Sequence, residues 1–180
     1  MNDTDEVAIG GAIVKKAMVY QYYALYKPIG IESTFDKKRA DNLSSAFPFG
    51  TEFFVAGRLD KASEGLLLIS NDGKWVNEMS SPASNKEKEY VVEVEQTIDD
   101  TFIEKMRAGV DIGFCVTRPC VVHRISDHTF SIILTEGKNR QIRRMCLRLG
   151  FYVTALKRIR IDGFYISDLK ELEYRQIILT

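Results

Sequence analysis

The stretch VAGRLDKASEGLLLISNDG, Val55 to Gly73, decides how this chain is read. A short apolar run ends at Ala56, the triplet Arg58-Leu59-Asp60 follows, and a longer apolar run, EGLLLIS, starts at Glu64. Both runs have the length and composition of buried strands, and NDG marks a turn beyond the second. The charged triplet therefore sits in a tight loop between two strands, where rigid scaffolds concentrate binding and catalytic groups. Leu59 can anchor that loop in the core and leave its neighbours facing outward. Ser63 and Glu64 are placed to hold it by local hydrogen bonds, and Gly65 permits a close backbone approach. Taken alone, an aspartate in a loop is more often a turn or cap residue than a catalyst. The rest of the chain has to choose.

Working outward, YYALYKPIG (Tyr22–Gly30) reads as a strand ending at Lys27-Pro28. DKKRADNLSSAF is polar with helical character, EFFVAG is a strand, and KWVNEMS is a short helix. In KEKEYVVEVEQ, the residues Tyr90, Val92 and Val94 share one strand face. IDDTFIEKMRAGV opens with aspartates, spaces Phe102, Ile103 and Met106 helically, and ends at Gly109. HTFSIILTEG is another strand, with Phe130, Ile132 and Leu134 on one face. NRQIRRMCLRLG is a helix from Asn139 to Leu149, stopped by Gly150. Strands and helices alternate irregularly, so the expected class is α+β rather than doubly wound.

With 180 residues, 45% of them apolar, one compact domain is expected over residues 20–180, behind a flexible segment 1–19 whose first residues, MNDTDEV, are frayed. No apolar run is long enough to span a membrane, and the N-terminus does not resemble a signal peptide. Three cysteines, Cys115, Cys120 and Cys146, form an odd set without metal-type spacing. Free thiols and a cytoplasmic location are expected. Two isolated histidines make no metal site.

The net charge of zero hides an asymmetry. From Gly137 to Arg160 the chain carries eight basic residues and no acidic ones, so the remainder sums to minus eight. One basic surface on an acidic body is expected, and it points to a polyanion. Within the helix, Arg140, Arg144 and Arg148 follow at i, i+4 and i+8 and form one ridge, with Ile142, Met145, Cys146 and Leu149 opposite and Arg143 near the boundary. Gly137, Lys138 and Asn139 precede it, where free backbone N–H groups favour anions. Such a ridge suits RNA phosphates, because a guanidinium contacts them in bidentate fashion. A solvated helix face is the plain alternative. Tyr90 likewise reads first as a core residue and second as a ring on which a base stacks.

Three segments in order, AGRLDKASEGLLLISNDG, KEYVVEV and ILTEGKNRQIRRMCLRLGF, together with YKPIGIESTFD, resemble the RsuA-type ribosomal RNA pseudouridine synthases. The likeness runs from Tyr22 to Arg175 and looks closest to the RluF-like branch, which acts on 23S ribosomal RNA, with some members also accepting a tyrosine tRNA. It implies a pseudouridine synthase fold: a mixed, mostly antiparallel central sheet, flanking helices and a central cleft. It implies that Asp60 is the catalytic aspartate and that Arg58 displaces the target base. Tyr90 would pack on the uracil, Ile142 would wall the pocket, and Arg143 would pair with Asp60. Lys138, Arg140, Arg144 and Arg148 would take phosphates. Neither cofactor nor metal is implied, and a monomer is expected. Many members carry an N-terminal domain of the S4 type, for which the twenty or so residues before the first strand are too few.

The implied reaction breaks the N1–C1′ bond of a uridine and rejoins the uracil through C5. It needs one ionised carboxylate near ribose and base. Attack on C1′, attack on C6, or removal of the 2′ proton are all open to it. Two other classes are weighed beside it. A non-catalytic RNA-binding module would use the basic segment and have no use for Asp60. A glycosidase would need a second acid, for which Glu64 is the nearest candidate.

Overall fold

The computed structural model describes residues 7–9, 12–15 and 19–179. Two strands, β1 (Val7–Ile9) and β2 (Ala12–Lys15), pair with each other. The rest of the expected flexible segment lies outside the described residues, apart from Val19. The main body runs β3 (Tyr22–Lys27), α1 (Leu43–Ala46), β4 (Phe54–Ala56), β5 (Glu64–Ser70), α2 (Gly73–Ser80) and β6 (Lys88–Val94). It continues with α3 (Asp100–Ala108), β7 (Val121–Arg124), β8 (Thr129–Leu134), α4 (Gln141–Arg148), β9 (Val153–Ile161), β10 (Phe164–Tyr165) and β11 (Tyr174–Gln176).

One nine-stranded sheet orders itself β11-β3-β5-β9-β6-β8-β7, with β4 on β5 and β10 on β9. Every pairing in it is antiparallel except β5–β9, which is parallel over only Glu64↔Lys157 and Gly65↔Arg158. The sheet is thus two antiparallel halves joined at one short seam. Gly65 makes that seam: it sits at φ +109°, and an added Cβ would lie 2.3 Å from the Arg158 carbonyl oxygen. This is the close approach expected of it.

Three clusters of buried side chains make the core, and the one under α2 spans the seam, taking in Ile161 of β9. In the second half, Val92, Val94, Phe130 and Ile132 meet Phe102 and Met106 of α3 and Ile142 and Met145 of α4. In the first half, one face sets Ala24, Leu66 and Leu68 against Val76 and Met79 of α2, and the other gathers Leu25, Leu67, Phe35, Leu43 and Leu59. Burying these apolar faces on helices is what selects the layered α+β arrangement. Helix α3 starts where the Asp99 side chain accepts from Phe102 N and stops at Gly109.

Several expectations need correction. DKKRADNLSSAF is helical only over its last turn, because Asp36–Asp41 offers no apolar face to bury; Asn42 caps the single turn. The NDG turn is also a helix start, with Asp72 accepting from the backbone of Lys74 and Trp75. The strands β7 and β9 were not anticipated. No helix among the described residues is long and apolar enough to cross a membrane. The cysteines are free, as the odd count suggested; burial pushes the Cys120 thiol up to about 11 and the Cys146 thiol up to about 12.

Candidate active site

The loop Gly57–Ser63 leaves β4, lies across the seam and enters β5. Its backbone is fixed residue by residue. Arg158 Nη2 donates to the Gly57 carbonyl (2.8 Å). Ser33 Oγ donates to the Leu59 carbonyl (2.8 Å) and accepts from Leu59 N–H (3.1 Å). Ser63 N–H donates to the Asp60 carbonyl (3.0 Å), and Gly30 N–H to that of Lys61 (2.8 Å). Arg143 Nη2 donates to the Ala62 carbonyl (2.7 Å). Leu59 packs into the core as expected. Such over-determination holds a loop side chain to the tolerance that chemistry needs.

Above the loop opens a cleft of about 930 Å³. Arg58, Asp60, Tyr90, Lys138, Arg140 and Ile142 all line it. Four carboxylates do so: Glu32, Asp36, Asp60 and Glu136. Glu32 pairs with Arg39 at 2.9 Å. Asp36 accepts from Lys38 N at 3.0 Å. Glu136 accepts from Gln141 Nε2 at 2.8 Å and pairs with Lys138 at 3.4 Å. The Asp60 carboxylate alone accepts no hydrogen bond and no ion pair among the described residues. Its charge acts at a distance on Lys27 and Arg143.

Tyr90 reaches the cleft because it packs against the cores of both halves. The β6–β9 register shifts between Glu89 and Tyr90, the sort of irregularity that re-aims a side chain beside a site. Ile142, nearly fully buried, belongs to the second core and gives the cleft an apolar wall.

Lys88 and Arg158 line the cleft as buried cations, with Lys27 close enough to feel the charges of Arg158 and Asp60, and sequence reasoning did not find this arrangement. Lys27 is fully buried, with Nζ donating to the Pro28 and Ile31 carbonyls, both at 2.8 Å. Burial and then the neighbouring Arg158 pull its ammonium down to about 8, against the opposing charges of Asp60 and Glu64. Lys88 is buried too, donates to the Lys86 carbonyl and is lowered by the same two causes. Arg158 is 1% exposed and also donates to the Leu66 carbonyl (2.8 Å). In the sequence Lys27-Pro28 reads as the end of a strand and Arg158 as one charge of the basic segment; neither reading places them under the cleft.

The expected single basic surface is not formed. Lys138 and Arg140 line the cleft, whereas Arg144 and Arg148 do not. Arg140 has left-handed backbone (φ 51°) just before α4, so it leaves the ridge it was expected to share. Arg144 binds the Asn139 carbonyl and lies over the Phe114 ring (5.6 Å); Arg148 binds the Asp111 carbonyl. Within β9, Lys157 covers the Tyr26 ring, Arg158 is buried, and Arg160 pairs with Glu87 and Glu89. Arg143 makes no contact ion pair with Asp60; it forks onto the Ala62 and Val153 carbonyls. The Ser63 hydroxyl, expected to brace the loop, has no partner among the described residues; its backbone N–H does that work. Glu64, the second acid a glycosidase would need, accepts from the Tyr26 hydroxyl (2.7 Å) and does not line the cleft.

A family model described as RNA pseudouridylate synthase matches residues 21–148. Dual-specificity RNA pseudouridine synthase RluF of Salmonella typhi is 39% identical over 175 residues, covering 96% of this chain and 61% of that protein. Ribosomal small subunit pseudouridine synthase A of Pasteurella multocida is 29% identical, covering 98% of this chain and 78% of that one. A solved structure of a pseudouridylate synthase superposes with TM-score 0.83 at 27% identity, over 99% of this chain and 79% of the other. The expected fold is therefore present. The chain spans about three fifths of the length of its RluF relative, whose covered share is 61%.

Proposed function

The chain belongs to the RNA pseudouridylate synthase family, and from that premise we propose that it isomerises a uridine of 23S ribosomal RNA to pseudouridine, with Asp60 as the catalytic carboxylate. One observation carries the reading. Of the four carboxylates in the cleft, only Asp60 is left without a donor among the described residues. It sits in a loop whose backbone is pinned on every side. A group held firmly and left unengaged is poised for a ligand.

In this reading the target uridine leaves its stack and enters the cleft, because a stacked base hides the atoms to be exchanged. Arg58, exposed on the loop, takes the place the base vacates. Tyr90 receives one face of the uracil and Ile142 bounds the pocket, which offsets part of the unstacking cost. The Asp60 charge acts through space on the nearby cations Arg143 and Lys27. Asp60 then assists cleavage of N1–C1′; the freed uracil turns, C5 bonds to C1′, the C5 proton departs and N1 gains one. Lys138 and Arg140 hold the flanking phosphates, with Arg144 and Arg148 farther out. The RNA is the partner, a tyrosine tRNA is a second candidate substrate, and the enzyme acts as a cytoplasmic monomer.

Incubation with ribosomal RNA tritiated at uridine C5 tests the reading. Wild type is expected to release tritium, and Asp60→Asn to release none while binding RNA within about threefold of wild type. A folded wild type that releases nothing from 16S, 23S or transfer RNA overturns it. An active Asp60→Asn overturns the assignment of Asp60.

A further inference from the structure

Two buried side-chain polar atoms lack a hydrogen-bond partner among the described residues, Ser63 Oγ and Arg143 Nε. They flank one peptide: Arg143 Nη2 holds the Ala62 carbonyl, and Ser63 is the next residue. Native interiors keep few such orphans, and each one calls for an explanation. Three residues before Ser63 the opposite imbalance occurs. The Asp60 carboxylate can only accept, and no donor among the described residues reaches it.

The turn between them brings donor and acceptor together. Ser63 N–H donates to the Asp60 carbonyl at 3.0 Å, and a turn closed in this way holds its first and fourth Cα atoms within about 7 Å. With Cα atoms this close, rotation about the side-chain bonds is the movement that would join the hydroxyl to the carboxylate. The hydroxyl oxygen shows almost no accessible surface, so it does not meet substrate directly. Asp60 is half-buried, and no hydrogen bond or ion pair among the described residues engages its carboxylate.

We propose that Ser63 is a positioning residue for Asp60: in solution the Asp60 side chain also occupies an inward position in which it accepts a hydrogen bond from the Ser63 hydroxyl. A carboxylate bonded in this way stays ionised to lower pH and keeps one rotamer. The inference rests on the reading of Asp60 as the catalytic carboxylate. The groups that face it are Ser63 and Arg143 at the loop, Lys27 beneath, and Arg158 behind Lys27.

The test compares Ser63→Ala with Ser63→Thr in the full chain. The Asp60 carboxyl is followed by carbon-13 NMR titration, assigned with Asp60→Asn. Ser63→Ala is expected to titrate Asp60 at higher pH than wild type, and Ser63→Thr to return it. Because the hydroxyl is orphaned in the outward state, Ser63→Ala is expected to keep or raise the thermal midpoint. On RNA, Ser63→Ala is expected to lower kcat at least tenfold with KM within twofold, and to move the acid limb of the kcat profile upward. An Asp60 titration that Ser63→Ala leaves unmoved overturns the proposal, whatever happens to the rate. If wild type converts no uridine, the functional reading has failed, and the titration still decides the role of Ser63.

Discussion

Two sets of cations meet at the cleft and share little besides their charge. Lys138 and Arg140 stand on its rim before α4, where water and counterions reach them. Lys27, Lys88 and Arg158 lie beneath it, buried and bonded to backbone carbonyls, with no ion pair among the described residues. The rim set costs little to keep and is suited to a polyanion that comes and goes. The buried set is expensive, since each charge has lost its water and has only peptide dipoles in return. What it provides is geometry and field: Arg158 fixes Gly57 and the seam, and Lys27 sets positive charge under Asp60. Counting charges along the chain puts Arg158 and Arg140 in one patch. Burial puts them in different roles.

The sharpest way to break the buried set is through the glycine that lets it in. Gly65→Ala drives a Cβ into the Arg158 backbone at a positive φ, with an expected loss of about 4 kcal/mol in urea unfolding. Arg158→Met follows: the Leu66 and Gly57 carbonyls lose their donor, and about 3 kcal/mol is expected to go, with turnover falling alongside.

Lys27 gives the comparison a pH axis. Its folded value of about 8 lies below its ordinary 10.5. Below pH 8 both states hold the proton and the folded state bears the whole penalty. Between pH 8 and 10.5 the unfolded state binds more protons, so wild-type stability rises with pH relative to Lys27→Met, by about 3 kcal/mol across that window. A difference that stays flat from pH 7 to 11 would remove Lys27 from the buried set.

The rim set is expected to answer in binding and not in folding. Lys138→Gln and Arg140→Gln each lower RNA affinity about fivefold and reduce the salt slope by about one, with unfolding unchanged. Arg148→Gln changes affinity less than twofold, because its guanidinium is already engaged by the Asp111 carbonyl. Equal effects at Arg140 and Arg148 would restore the single ridge.

Much of the fold was legible because apolar runs bounded by turn residues mark β3, β5, β6 and β8, and helical spacing marks α3 and α4. What stayed hidden was hidden for a physical reason. In VTALKRIRI the charged residues Lys157, Arg158 and Arg160 suggest a surface, yet Arg158 is 1% exposed, and it is held by carbonyls 92 and 101 residues away. Its donors find partners that no local pattern announces. The same holds for Ser33, whose hydroxyl clasps Leu59 across 26 residues. The family resemblance implies a common site for Asp60, Tyr90 and Ile142, and all three line one cleft. Arg143 was placed against Asp60, and it holds the loop backbone instead.

The two-residue parallel seam has a consequence for the order of events in folding. Strands β6 to β10 form a continuous stretch, while β3 to β5 wait for β11 from the far end of the chain. Each half can build its own ladder, and docking closes the longest loops last. Two anchors of the Asp60 loop, those at Gly57 and Ala62, come from across that seam. A nascent chain that has made only its first half therefore carries the whole GRLD sequence and an unfinished loop. Amide exchange in Gly57–Ser63 will report the docking of the two halves, not the stability of either one.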